Sequence, residues 1–322
     1  MKTLLPVVPA LLMVVCLKAQ DPVDSRQQAI VITSVNVIPM DSERILTDQD
    51  LIIRDGEIEA IGKGLTYPKD ALLIDGTGKY VIPGLAEMHA HVPPSEDVQA
   101  MKDVLMLFAV NGITTIRGML GHPKHLELRA SVNNGEIIGP RLYTTGPSLN
   151  GYSVKTEGDA ERMVREQKAA GYDYLKLHPG LTMSTFPVIV ETANEVGIPF
   201  AGHVSFRVGI WQAIDAEYSS IDHLDGFIEG MVPGIDTLTE QQTGLFGMFI
   251  ADRVDESKMP ALLKGLKEHN IWVVPTQALA ERWFNPSYTA DDFHADPNSK
   301  YMSKEIVEQW VTSKNNLVAN EQ

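Results

Sequence analysis

The chain has 322 residues, 44% hydrophobic and 21% charged, a balance that excludes global disorder, collagen and coiled coil. Its 27 Lys and Arg against 42 Asp and Glu give a net charge of −15, which disfavours nucleic acid and anionic membrane surfaces as partners. A single Cys excludes an internal disulfide framework and a Cys-based zinc site, leaving nine His and the carboxylates as candidate metal ligands.

The first segment reads as a targeting signal. Lys2 precedes an almost wholly apolar run from Leu4 to Leu17. That run falls short of the ~20 residues needed to span a bilayer. Ala19 then supplies a small residue before polar chain. We expect a signal peptide over residues 1–19 and an exported protein, periplasmic or secreted, with no membrane attachment after cleavage. Lipoprotein anchoring through Cys16 is disfavoured, because Met13-Val14-Val15 lacks the small residues such a site uses. Cleavage removes Lys2, Lys18 and Cys16, so the mature chain is more acidic still and free of Cys.

Residues 20–82 read as a small β-sandwich or sheet, incomplete by itself. Ile30-Val31-Ile32, Val35 to Ile38, Leu51 to Ile53 and Ile58 to Ile61 are short strand-like runs. Asp55-Gly56 is a hairpin-turn dipeptide, since both residues tolerate positive φ. Asp75-Gly76 and Thr77-Gly78 mark further turns.

Residues 83–322 alternate strand and helix. Strand-like segments recur at 85–92, 112–118, 141–146, 174–178, 198–204, 219–224 and 271–276. Asp159 to Ala170 reads as a helix stopped by Gly171, and Ser303 to Leu317 as the helix after the seventh strand. Such alternation implies an α/β fold with a parallel sheet. A (β/α)8 TIM barrel typically takes about 250 residues. The eighth strand is missing, so we expect a C-terminally truncated barrel.

Four strand ends carry groups that bind metals. His89-Ala90-His91 places two imidazoles on one side of a strand, roughly 6–7 Å apart along it. Lys176, between Leu175 and Leu177, is a cation on a core strand, where an ammonium is unfavourable. Ala201-Gly202-His203 and Ile221-Asp222-His223-Leu224-Asp225-Gly226 end the fifth and sixth barrel strands. In a barrel all of these fall on the C-terminal rim, where active sites lie. A lone His at a strand end is more often structural; four His and one Lys at converging ends are not. His122, His125, His269 and His294 read as solvated, and Trp272 and Trp283 as packing residues. Arg117, Tyr152 and His178 are weaker candidates for substrate contacts. For Arg117 a structural ion pair is at least as good a reading, and for Tyr152 an ordinary surface loop is the better one.

The run Asp75-Gly-Thr-Gly-Lys-Tyr-Val-Ile-Pro-Gly-Leu-Ala-Glu-Met-His-Ala-His91 resembles the amidohydrolase superfamily, in which a small β-sandwich leads into a first barrel strand bearing H-x-H. Thr114-Thr115-Ile-Arg117, Gly171-Tyr-Asp-Tyr-Leu-Lys176, Ala201-Gly-His203 and Ser220-Ile-Asp-His223-Leu-Asp-Gly226 continue the resemblance, which covers residue 30 to about 318. It is nearest the imidazolonepropionase-like branch that includes Xaa-Pro dipeptidases with a carboxylated lysine.

The resemblance implies a hydrolase of amide C–N bonds, acting on a dipeptide or another small-molecule amide. His89 and His91 would hold one metal, His203 and His223 a second. Lys176 would carry a CO2-derived carbamate that bridges them. Zn2+ is the expected ion, with Mn2+, Co2+ and Fe2+ open. Two such ions activate a water. The superfamily's proton-carrying Asp at the end of strand eight has no match, so the chain reads as a fragment without the catalytic Asp. The alternatives are a non-catalytic metal- or ligand-binding barrel and a mononuclear deaminase of the same superfamily, against which Lys176 argues. Pairing into a homo-oligomer is compatible with such a barrel.

Overall fold

The computed structural model describes residues 28–320. The expected signal peptide, residues 1–19, lies outside the described residues. The chain divides into two compact units between Pro83 and Gly84.

The first unit is one mixed sheet. Its strands are β1 (Ile30–Val37), β2 (Leu46–Arg54), β3 (Glu57–Gly62), β4 (Leu72–Asp75) and β5 (Tyr80–Val81). The order is β3-β2-β1-β4, with β5 also on β1. The β1–β2 and β2–β3 pairs are antiparallel, and β4 and β5 run parallel to β1. Asp55 and Gly56 turn the hairpin at φ 52° and 81°. One expectation is corrected. The runs before and after Ser34 are one strand, with Ser34 at φ 53° where the register to β2 shifts. The five strands form a single sheet among the described residues, the one-layer alternative of the expected sandwich or sheet.

The second unit holds seven parallel strands, each within an expected segment: β6 (Leu85–Ala90), β7 (Ile113–Gly118), β8 (Arg141–Thr144), β9 (Leu175–Leu177), β10 (Phe200–Gly202), β11 (Ser220–Asp222) and β12 (Trp272–Val274). They form two sheets, β6-β7-β8 and β9-β10-β11-β12. Every pair is parallel. Isolated bridges Thr145–Tyr174 and Leu149–Leu177 link the two sheets, which gives barrel order from β6 to β12. Among the described residues no eighth strand follows; the last element is the helix Lys304–Asn320.

Helices separate most of the strands. The helix Glu157–Ala170 starts in a capping box in which Thr156 and Asp159 satisfy each other's backbone N–H groups. It ends at Gly171, whose φ of 87° suits the left-handed cap. Strands β9, β10 and β11 are buried at every residue, as expected of parallel strands covered on both faces. The larger core gathers around them and includes Leu175, Leu177, Phe200 and Ile221. A smaller core, with Ile116, Leu142 and Met101, sits under β6–β8.

Candidate active site

The strand ends converge on one carboxylate. Asp222, at the end of β11, is fully buried. Its Oδ2 accepts from Lys176 Nζ at 3.1 Å and from His89 Nδ1 at 2.8 Å. Its Oδ1 accepts from Ser220 Oγ at 3.1 Å and lies 3.5 Å from the Arg117 guanidinium. Burial by itself would raise this carboxyl. The His89 hydrogen bond and the charges of Lys176, His89 and Arg117 outweigh it and hold Asp222 below the ordinary carboxylate range. Lys176 is also fully buried, and burial depresses its ammonium more than the Asp222 charge supports it. Gly202 makes room for that side chain: a Cβ there would lie 3.0 Å from Lys176 Cδ and 2.3 Å from the Leu177 carbonyl oxygen.

The imidazoles form a chain of close neighbours. Ring centroids are 5.1 Å apart for His89–His91, 4.4 Å for His89–His223, 4.6 Å for His203–His223 and 4.8 Å for His178–His203. Burial, with the nearby Lys176 charge, pushes His178 and His203 down to about 3. His89 and His223 are lowered as well, chiefly by burial. These rings are therefore neutral at physiological pH and keep a nitrogen lone pair.

Three of them turn the same nitrogen inward to protein. His89 Nδ1 meets Asp222, His203 Nδ1 meets Asp225 Oδ2 at 2.9 Å, and His223 Nδ1 meets Thr276 Oγ1 at 2.7 Å. That leaves Nε2 of each ring away from its anchor, the arrangement by which protein oxygens orient metal-binding histidines. His89 Nε2 and His91 Nε2 stand 3.2 Å apart. Two nitrogens on one tetrahedral zinc ion, each about 2.0–2.1 Å from it, would be separated by roughly 3.3 Å. The donor set thus fits divalent ions in kind. Among the described residues, no three His, Cys, Asp or Glu side chains already stand at metal-holding geometry.

The backbone is strained at these strand ends. His223, Leu224 and Thr276 have φ of 62°, 58° and 47°. Non-glycine residues in this region concentrate at functional sites. Phe246, at φ 54°, stacks on His223 and His203 with centroid distances of 5.5 and 6.4 Å. Beyond it a cavity of about 540 Å3 reaches His91, His203 and His223 and is walled largely by Leu279, Trp283 and Phe284. Its size suits a small organic ligand.

Residues 80–296 match the amidohydrolase family. The chain belongs to the amidohydrolase family.

Solved amidohydrolase structures of low sequence identity share the fold. A Xaa-Pro dipeptidase with bound methionine in its active site aligns at 18% identity and a TM-score of 0.57, covering 91% of this chain and 75% of that one. A bottromycin amidohydrolase aligns at 22% identity and a TM-score of 0.56, covering 91% and 65%. A dihydroorotase of Thermoanaerobacter sp. (strain X514) is 39% identical over 72 residues, 22% of this chain. The match spans only 16% of that relative's length, and 19% for a second dihydroorotase, from Geotalea daltonii.

The structure brings His89, His91, Lys176, His203 and His223 together and sets His178 beside them. It does not do so for two substrate candidates. Arg117 is buried and donates from Nε to the Met88 carbonyl at 2.9 Å and to Ser220 Oγ at 2.7 Å, so its guanidinium is engaged by protein rather than open to a ligand. Tyr152 is 91% exposed, as an ordinary surface loop residue is. His125, expected to be solvated, is fully buried with Nε2 on the Pro93 carbonyl at 3.0 Å. Trp272, expected to pack, is 71% exposed on β12. Sequence reading passed over Thr276 and Phe246. Thr276 had a weak signal, a hydroxyl after Pro275 at a strand end; Phe246 had none, because it lies in an irregular segment.

Proposed function

We propose that this chain carries the metal-binding centre of a hydrolase that cleaves amide C–N bonds in small molecules or dipeptide-like substrates. The observation that carries this reading is the convergence of four neutral imidazoles on a buried lysine at successive strand ends. His89, His91, His203 and His223 would hold two divalent ions, with zinc the natural choice for imidazole donors. Lys176 would join them as a carbamate. When bound, such ions lower the pKa of water and polarise a carbonyl.

The chain's own residues supply the rest. Asp222, Asp225 and Thr276 orient His89, His203 and His223 through their Nδ1 atoms. Phe246 and the apolar cavity beside them offer a surface for an apolar group. The superfamily's strand-eight Asp has no counterpart among the described residues, and the two carboxyls beside His223 are already engaged. Export belongs to the same proposal, supported by the apolar run Leu4 to Leu17.

The test is hydrolysis of a panel of dipeptides and cyclic amides by zinc-loaded protein and by Lys176→Met. Turnover that the substitution abolishes supports the reading; turnover indifferent to Lys176 and to chelation overturns it. A second reading, a barrel that binds metal or ligand without turnover, is favoured by the Lys176–Asp222 ion pair, which must open before a carbamate forms. It predicts retained zinc with no hydrolysis across the panel.

A further inference from the structure

The apolar cavity beside the His rings is bounded by two helices. Leu279, Trp283 and Phe284 line it from the helix Gln277–Phe284, and Asn316 and Leu317 line it from the last helix, Lys304–Asn320. The first of these helices is weakly held by its own residues. It has eight residues, fewer than the ~12–15 at which an isolated helix is even marginal. Thr276 stands at its N-cap but makes no capping bond; its hydroxyl meets His223 Nδ1 at 2.7 Å instead. At the other end the last carbonyls of any helix need partners from outside it.

Lys314 supplies them. It lies on the last helix, is 3% exposed, and its Nζ donates to the carbonyl oxygens of Arg282 at 3.1 Å, Trp283 at 2.6 Å and Asn285 at 3.1 Å. Three acceptors match the three donors of an ammonium, and a cation at a helix C-terminus is favourable. Aromatic contacts also link the region, with centroids 6.0 Å apart for Trp283–Phe293 and 5.8 Å for Phe293–Trp310. Packing of this kind has little direction; the three hydrogen bonds fix where the end of the short helix sits along the last one. Trp283 and Phe284, both walls of the cavity, are at that end. Phe284 meets Phe246 edge-on at 6.0 Å, and Phe246 stacks on His223.

We propose that Lys314 is a positioning residue for the ligand: by tying the helix Gln277–Phe284 to the last helix, it holds two walls of the apolar cavity in place for the group bound there. That this ligand is a substrate rests on the hydrolase reading of the site, and the test separates the two.

The probe is 4-phenylbutan-1-ol, which has an apolar body and no bond to hydrolyse. Its binding to the full chain is measured by titration calorimetry beside thermal unfolding. Leu279→Trp, which fills the cavity, should abolish binding. Lys314→Met should weaken it about tenfold, the scale of ordering the loosened Trp283 and Phe284 side chains on binding. Val307→Ala, a buried truncation in the same helix but away from this cavity, should lower thermal stability and leave binding within about twofold. If Lys314→Met does not fold, Lys314→Arg, which keeps the charge on a differently shaped head, replaces it in the same comparison, with a smaller loss in the same direction. No binding by the wild-type chain, binding indifferent to Leu279→Trp or to the Lys314 substitution, or an equal loss in Val307→Ala overturns the proposal. Amide turnover with probe binding indifferent to Lys314 would remove this role and leave the hydrolase. Lys314-dependent probe binding without turnover would keep the role and remove the hydrolase.

Discussion

The two sheets of the barrel unit share a strand-helix rhythm but not a degree of enclosure. Strands β9, β10 and β11 are buried at every residue, whereas β6 leaves Leu85 53% and Met88 40% exposed. The larger core belongs to the first group and a much smaller one to the second. The enclosed half fixes Lys176, His203, Asp222 and His223, and the more open half lends His89, His91 and Arg117. Asp222 joins them, since it bonds to His89 of β6 and Lys176 of β9 and faces Arg117 of β7. The difference teaches that the site's geometry is set by the enclosed half and carried across the seam by one carboxylate.

The sharpest way to break that comparison is to remove the tie. Asp222→Ala leaves Lys176 and Arg117 buried without their shared anion, and should destabilise the fold by about 3–5 kcal/mol. Urea unfolding measures it; a loss under about 1 kcal/mol, the size of a surface pair, would show that the halves do not depend on Asp222. Next in size are matched core truncations. Ile221→Ala in the larger core and Ile116→Ala in the smaller one should each cost about 2–5 kcal/mol, with Ile221 at the upper end because its surroundings can collapse less. Equal losses would erase the contrast between the halves.

Gly202→Ala probes the enclosed half at the lysine itself. The added methyl meets the Leu177 carbonyl and Lys176 Cδ, at a backbone φ of 131° that a side chain rarely adopts. A destabilisation of about 1–3 kcal/mol is expected, with zinc retention falling alongside it. Wild-type retention in a folded Gly202→Ala protein would show that Lys176 has room to spare.

The smallest effect concerns His125 in the more open half. Burial holds its imidazole below the ordinary value of 6.5. The unfolded chain takes up the proton first as pH falls, so this contribution to stability is complete above about 6.5 and is lost on acidification below it. His125→Leu should flatten that part of a stability-against-pH curve for the metal-free protein. An unchanged acid limb would assign the loss to other groups.

The seven barrel strands were legible because short apolar runs alternate with helix-like stretches. The site's ligand candidates were legible because His-Ala-His and a lysine between two leucines are costly patterns to place in a sheet without a use. Whether the N-terminal strands make one sheet or a sandwich was left open by the sequence. The exposed run Leu72-Leu73-Ile74 gives no sign of how many layers surround it, and nothing local marks Ile30 to Val37 as one bulged strand. Arg117 shows a different failure. A guanidinium at a strand end reads equally as a substrate clamp or as a buried ion-pair partner, and only the position of Asp222 decides. Phe246 depends on an irregular segment folding back over the strand ends, which no period in the sequence encodes.

The measurement that bears most directly on the central claim is zinc content. Protein loaded with zinc in bicarbonate buffer and freed of excess metal should retain about two ions per chain, and Lys176→Ala about one or fewer. The same stoichiometry in both, or no zinc retained by the wild-type chain, would contradict the assignment of these strand ends as a metal centre bridged by a carboxylated lysine.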